Sequence, residues 1–143
     1  MTVAAILNSK GPEVVTVRTE QTLGSAATLM TERRIGSVLV MEADAIAGIL
    51  SERDIVRAVA QHAAAALGMP VGSAMTREVL FGAPADTVDK VLALMTERRI
   101  RHLPVKDHGR LVGLVSIGDV VKKRIEDVLE EAESLRAFVH GAG

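Results

Sequence analysis

The hexapeptide Met-Thr-Glu-Arg-Arg-Ile occurs twice in this chain of 143 residues, at 30–35 and again at 95–100. A chain that repeats itself at one fixed offset folds as copies of one unit. The offset of 65 runs on without a gap, pairing Thr22 with Thr87, Val40 with Val105, Gly48 with Gly113, Ser51 with Ser116 and Asp54 with Asp119. Ahead of the aligned block, Val3 to Leu7 resembles Val71 to Met75, and the first copy carries a short insertion around Ser9-Lys10-Gly11. The sequence therefore divides into a first repeat at 1–68, a second at 69–125 and an extension at 126–143.

Each copy reads β-α-β-β-α, an α/β (α+β) unit. A short apolar strand opens it, Val14 to Val17 or Val79 to Phe81, and a helix follows, capped by Thr22 or by Asp86/Thr87. Leu23, Ala26, Ala27 and Met30, with Val88, Val91, Leu92 and Met95, repeat at i, i+3, i+4, i+7, the period of one buried helical face. Ser37 to Met41 and Ala45 to Leu50 have strand length, as do His102 to Lys106 and Arg110 to Val115, with Asp107-His108-Gly109 as a turn. A second helix starts near Ser51 or Ser116. The first such helix is expected to end near Leu67, with Gly68 as a left-handed cap before Pro70. One unit of about 60 residues has a marginal core, so the two are expected to pack together about a pseudo-two-fold axis. The last helix, Ile117 to about Phe138, carries Val121, Ile125, Val128, Leu129, Ala132, Leu135 and Val139 on one stripe past the end of the repeat. That stripe either folds back on its own module or meets a partner chain, and a partner is the favoured expectation.

Composition removes several function classes. Lys plus Arg is 17 against 18 Asp plus Glu, so the basic balance of a duplex-binding protein is missing. Phe81 and Phe138 are the two aromatic residues, too few for a base-stacking platform. Without cysteine there is no disulfide and no thiolate chemistry. No apolar run has the length of a membrane span and no secretory signal is read at the start, so a soluble cytoplasmic protein is expected. His62, His102, His108 and His140 lie at no metal-ligand spacing on one element. Neither a P-loop nor a dinucleotide fingerprint is present, and no nucleophile–base–acid order can be placed, so no enzyme is expected.

At Gly48-Ile49-Leu50-Ser51-Glu52-Arg53-Asp54, at Gly113-Leu114-Val115-Ser116-Ile117-Gly118-Asp119 and at Ile100-Arg101-His102-Leu103-Pro104-Val105, the chain resembles the cystathionine-β-synthase (CBS) domain, present as a tandem pair or Bateman module. The resemblance covers about Val3 to Arg124. It implies a sensor binding adenosine-containing ligands in clefts between the repeats: AMP, ADP or ATP, with NAD or S-adenosylmethionine also within the family's range. It further implies a homodimer, a regulated partner protein and no cofactor beyond that regulatory ligand. A dimerisation or docking protein with vestigial clefts is the alternative.

The motif residues have a physical reading of their own. A helix starting at once after a strand leaves first-turn N–H groups open, a setting suited to phosphate, to which Ser51 or Ser116 adds a hydroxyl. Asp54 and Asp119, three residues on, suit the hydroxyls of a ribose, and the resemblance assigns them that role. Ser-x-x-Asp is equally a capping box that closes a helix start with no ligand, and the two readings are compatible. Ile49 and Leu114 lie within the same motifs. Arg101 and His102 read by themselves as a solvated edge; the resemblance implies that they face the cleft, where they would suit a phosphate oxygen, and the first copy has Gly36 and Ser37 there. Arg53 stands where the second copy has Gly118, a cation against the helix dipole. Val14, Val15, Ile35, Val79, Leu80 and Ile100 are wall candidates for an adenine, or core.

Overall fold

The computed structural model describes residues 1–11 and 13–141. In chain order the elements are α1 (Val3–Lys10), β1 (Thr16–Arg18), α2 (Leu23–Arg33), β2 (Ser37–Glu42), β3 (Ala45–Ser51), α3 (Glu52–His62), α4 (Val88–Arg98), β4 (His102–Asp107), β5 (Arg110–Ser116) and α5 (Ile117–Gly141). Two 3₁₀ segments, Ala63–Gly68 and Val71–Ser73, join α3 to the second copy.

The packing divides the chain into Glu13–Val79 and Met1–Pro12 with Leu80–Gly143. These units do not follow the repeat boundaries at 68 and 69. Val71 and Met75, from the opening segment of the second repeat, complete the first core, beside Val17, Leu23, Met30, Val38, Val40 and Leu50. Val3 and Ile6, from the opening segment of the first repeat, complete the second, beside Val88, Val91, Met95, Leu103, Val105 and Val115. The opening segment of each repeat thus completes the core of its twin. The resemblance of Val3–Leu7 to Val71–Met75 has this physical meaning.

In the first unit β1 runs parallel to β2 (Val17 opposite Val40), and β2 pairs antiparallel with β3 (Val40 opposite Gly48), with a bulge after Val40. The second unit repeats the hairpin as β4 and β5, Val105 opposite Gly113, with its bulge after Val105. The strand expected at Val79 to Phe81 is absent. The parallel pairing shrinks there to a single bridge, Gly82 with Val105, and Pro84 follows too soon, without an N–H to extend it. The opening strand of the first copy lies at Thr16–Arg18, later than Val14 to Val17.

Thr22 and Thr87 cap α2 and α4 by accepting the N–H groups of Ser25 and Lys90 (both 3.1 Å), so Thr87 rather than Asp86 is the cap. Both helices end on arginines in the left-handed conformation, Arg34 and Arg99 (φ 55°), whose N–H groups donate to Met30 O and Met95 O. Helix α3 does not reach Leu67. It stops at His62, and the left-handed residue is Ala63 (φ 52°), not Gly68. The 3₁₀ segment beyond it turns Ala66 into the first core, a burial that a straight α3 would not provide. Helix α5 runs on to Gly141, past the expected Phe138. Val120 is buried near its start, while Ile125, Leu129, Leu135, Phe138 and Val139 are all exposed by more than half. The stripe does not fold back onto its own unit. No helix among the described residues is long and apolar enough to cross a membrane.

Candidate functional site

Both Gly-apolar-apolar-Ser-x-x-Asp segments fold the same way. Gly48 and Gly113 lie in β3 and β5, the serine ends the strand, and the aspartate falls in the first turn of α3 or α5. Ser51 Oγ accepts the Asp54 N–H (3.3 Å), and Asp54 Oδ2 accepts both the Ser51 N–H (2.9 Å) and its hydroxyl (3.1 Å). In the second unit Ser116 Oγ accepts the Asp119 N–H (3.1 Å), and Asp119 Oδ2 accepts the Ser116 N–H (2.9 Å). These are reciprocal capping boxes.

The expectation of open first-turn donors fails at two of them. Besides the Asp54 and Asp119 amides, the Glu52 N–H donates to Gly36 O (3.0 Å) and the Ile117 N–H to Arg101 O (2.7 Å). The positions entering β2 and β4 therefore serve the helix starts through their carbonyls. An arriving phosphate would be met by side chains rather than by these amides.

Each carboxylate then receives a further donor from outside its helix, the third for Asp54 and the second for Asp119. In the first unit this is Thr76, whose hydroxyl donates to Asp54 Oδ1 at 3.3 Å. Thr76 is seated by a pair of backbone hydrogen bonds with Ile49, each 2.9 Å. The Arg57 guanidinium lies 3.6 Å from Asp54 Oδ1, and Asp54 itself is 5% exposed. In the second unit the donor is the Lys10 ammonium, from the end of α1, at 2.6 Å from Asp119 Oδ2 and 2.8 Å from Leu114 O. Leu114 is the counterpart of Ile49. The lysine head thus fills both roles that Thr76 divides between its backbone N–H and its hydroxyl. Neither residue is a site candidate from the sequence. Lys10 stands inside an insertion with no counterpart, and its only signal is that it is a cation soon after an apolar segment.

The other expected residues sort by unit. Val14, Val15, Ile35, Ser37, Ile49, Ser51, Arg53, Asp54 and Val79 belong to the first, and Leu80, Ile100, Arg101, His102, Leu114, Ser116, Gly118 and Asp119 to the second. Val15 and Ile35 pack against the first core and Ile100 against the second, so these three act as core. Leu80 is exposed, as are Arg53, Arg101 and Gly118. Ser37 and His102 begin β2 and β4 opposite Ser51 and Ser116. The Ser37 hydroxyl is buried with no hydrogen-bond partner, an unusual state for a buried polar group. A groove of about 550 Å³, lined by Met1, Thr87, Val88, Asp89, Arg124, Asp127, Glu130, Glu131 and Ser134, contains none of these residues. Its carboxylates disfavour phosphate.

Burial pushes the Asp119 carboxyl up, but the Lys10 ammonium and the Ser116 N–H outweigh it, and the group is held below its ordinary 3.8. A carboxyl lowered on folding stabilises the fold above that ordinary value, and the contribution is lost as pH falls through the folded one. Lys10→Met should therefore move the Asp119 midpoint upward in a carboxyl-detected NMR titration. An unchanged midpoint would show that the ion pair does not form in solution.

The sequence model of the CBS domain matches this chain twice, over residues 4–61 and 71–126. A curated relative, the CBS domain-containing protein CBSX3, mitochondrial, of Arabidopsis thaliana, is 35% identical over 98% of this chain and 72% of its own length. Among solved structures, the CBS-domain containing protein ATU1752 from Agrobacterium tumefaciens is 44% identical, covering 86% of this chain and 92% of that one at a TM-score of 0.84. The CBS domain pair of protein MJ0100, solved in complex with methylthioadenosine and S-adenosyl-L-methionine, is 25% identical, with 85% and 98% covered and a TM-score of 0.74.

Proposed function

The chain belongs to the CBS domain family, with two copies in tandem, and from that premise we propose that it is a non-catalytic sensor of adenosine-containing ligands. One site is built on Ser51 and Asp54, the other on Ser116 and Asp119. Binding would favour one arrangement of the protein over another and so be passed to a regulated partner. The observation that carries this reading is the donor that each carboxylate takes from outside its helix. A capping box is complete with its two reciprocal bonds, yet in both units the carboxylate is fitted with a further, exchangeable one, a hydroxyl or an ammonium. A ribose hydroxyl is of the kind that can take that place. The complex of the MJ0100 pair supports the ligand class, and the unpartnered Ser37 hydroxyl supplies one more group for a ligand in the first unit.

Thermal denaturation and calorimetry with AMP, ADP, ATP, NAD and S-adenosylmethionine test it. A ligand present at 100 times its Kd should raise stability by about 2.7 kcal/mol, with ATP recovered intact. Silence with all five overturns the ligand reading, and sustained ATP hydrolysis by clean protein overturns the non-catalytic one.

The sensor is also proposed to be a cytoplasmic homodimer through α5. Val121, Ile125, Val128, Ala132, Leu135 and Val139 alternate at four and three residues, the spacing of a coiled-coil seam. Light scattering at micromolar concentration should return twice 15.1 kDa. A dimer that binds none of the five ligands would favour the docking-protein alternative, and a monomer would overturn the α5 assignment.

A further inference from the structure

The two units present their carboxylates differently. Asp54 receives a neutral hydroxyl from Thr76, a residue pinned by backbone pairing to Ile49, and the cation nearest it, Arg57 on its own helix, stands off at 3.6 Å. Asp119 receives a full positive charge from Lys10, at the tip of a flexible four-carbon stem. That ammonium also holds the Leu114 carbonyl, so it fills the place of a backbone donor without being part of the backbone.

A ribose hydroxyl arriving at Asp119 must compete with this ammonium. A neutral nucleoside displaces the cation and offers it nothing in exchange, leaving a half-exposed lysine stripped of a charge-assisted bond. A cationic ligand adds like-charge repulsion to that loss. A ligand with a phosphate next to its ribose provides a receiver, because the lysine stem can swing its ammonium from carboxylate to phosphate while the ribose takes over the carboxylate. Arg101, exposed at the mouth of β4, adds charge of the same sign.

We infer that Lys10 is the specificity-determining residue of the Asp119 site, selecting adenosine compounds that carry phosphate over neutral or cationic ones; this rests on the adenosine-ligand reading above. The site would then differ in ligand class from what the MJ0100 pair holds, one neutral adenosyl compound and one carrying a sulfonium.

The experiment is calorimetry on the full chain with AMP, adenosine and S-adenosylmethionine, for the native protein and for Lys10→Met. Binding is assigned to this site by the shifts of the Ser116 and Asp119 amide resonances. The native protein should prefer AMP to adenosine by about tenfold or more, the scale of one charge-assisted bond. In Lys10→Met that preference should collapse from both sides, AMP weakening and adenosine tightening, while Lys10→Arg should keep it. If Lys10→Met does not fold, Lys10→Gln serves, and the native preference for AMP should itself shrink as salt is raised. Binding at Ser116 and Asp119 with the same AMP-to-adenosine ratio in native and variant protein overturns this inference alone. No binding of any probe to either protein overturns the ligand reading, and this inference with it.

Discussion

Gly48→Ala should destabilise the protein by about 1–3 kcal/mol, the usual range for an overpacked core, and lower Tm by roughly 3–12 °C. A β-carbon at position 48 would sit 2.5 Å from the Thr76 carbonyl oxygen and 3.0 Å from Met75 Sδ. The sulfur can move, but the carbonyl cannot, since it accepts the Ile49 N–H while the Thr76 N–H donates back to Ile49 O. Relieving the clash means breaking that pair, which also carries the Thr76 hydroxyl away from Asp54. At Gly113 the nearest atoms to such a β-carbon all belong to the Leu7 side chain, its two methyls first. A leucine tip rotates, so Gly113→Ala should cost less than about 1.5 kcal/mol. Urea denaturation of both variants decides the matter. Equal losses would show that the segment carrying Thr76 yields as readily as a side chain.

The second large effect is on ligand affinity. Asp119→Ala should weaken AMP binding by about 10- to 150-fold, the equivalent of the 1.5–3 kcal/mol that hydrogen bonds to a charged group contribute. Asp54→Ala should weaken it less. Both carboxylates must release a partner to take a ribose hydroxyl, but Asp54 is buried and its partner Thr76 is held by backbone pairing, whereas the Lys10 ammonium can move from Asp119 to a phosphate. The loss of Asp54 should instead show in folding, by about 0.5–2 kcal/mol for a lost cap. The side chain of Asp119 is 27% exposed and its partner is a mobile ammonium, so its loss falls mainly on binding. Titrating AMP into both variants, alongside urea denaturation, separates the two outcomes. An affinity loss from Asp54→Ala that equals or exceeds that from Asp119→Ala would mean that the stronger site has been assigned to the wrong unit.

Much of the site is legible in the residues alone. Ser-x-x-Asp at matching offsets in a gapless repeat marks both helix starts, because a capping box is a local device whose two bonds span three residues. Thr22 and Thr87 are legible for the same reason, and so are the hairpins, where strand length and a turn suffice. The misplaced features all depend on packing. Four alanines continue a helix well along the chain, yet α3 ends at His62, and the 3₁₀ segment that follows places Ala66 in the first core. The lost strand near Val79 depends on how far Gly82 can pair along β4 ahead of Pro84.

Taken alone, the sequence determined that there are two like units, where α2 to α5 begin though not α1, and that α3 and α5 start with a serine and an acid in fixed register. Periodicity and capping act over three to seven residues, so they can be read along the chain. Tertiary structure alone decided that the opening segment of each repeat completes the core of the other, and with it which donor reaches which carboxylate. Lys10 and Asp119 are 109 positions apart, and Thr76 and Asp54 are 22 apart. No local rule relates residues at such separations. Burial of Val3 and Val71 does so, because it fixes where α1 and the Val71 turn end, and hence that Asp119 receives an ammonium while Asp54 receives a hydroxyl.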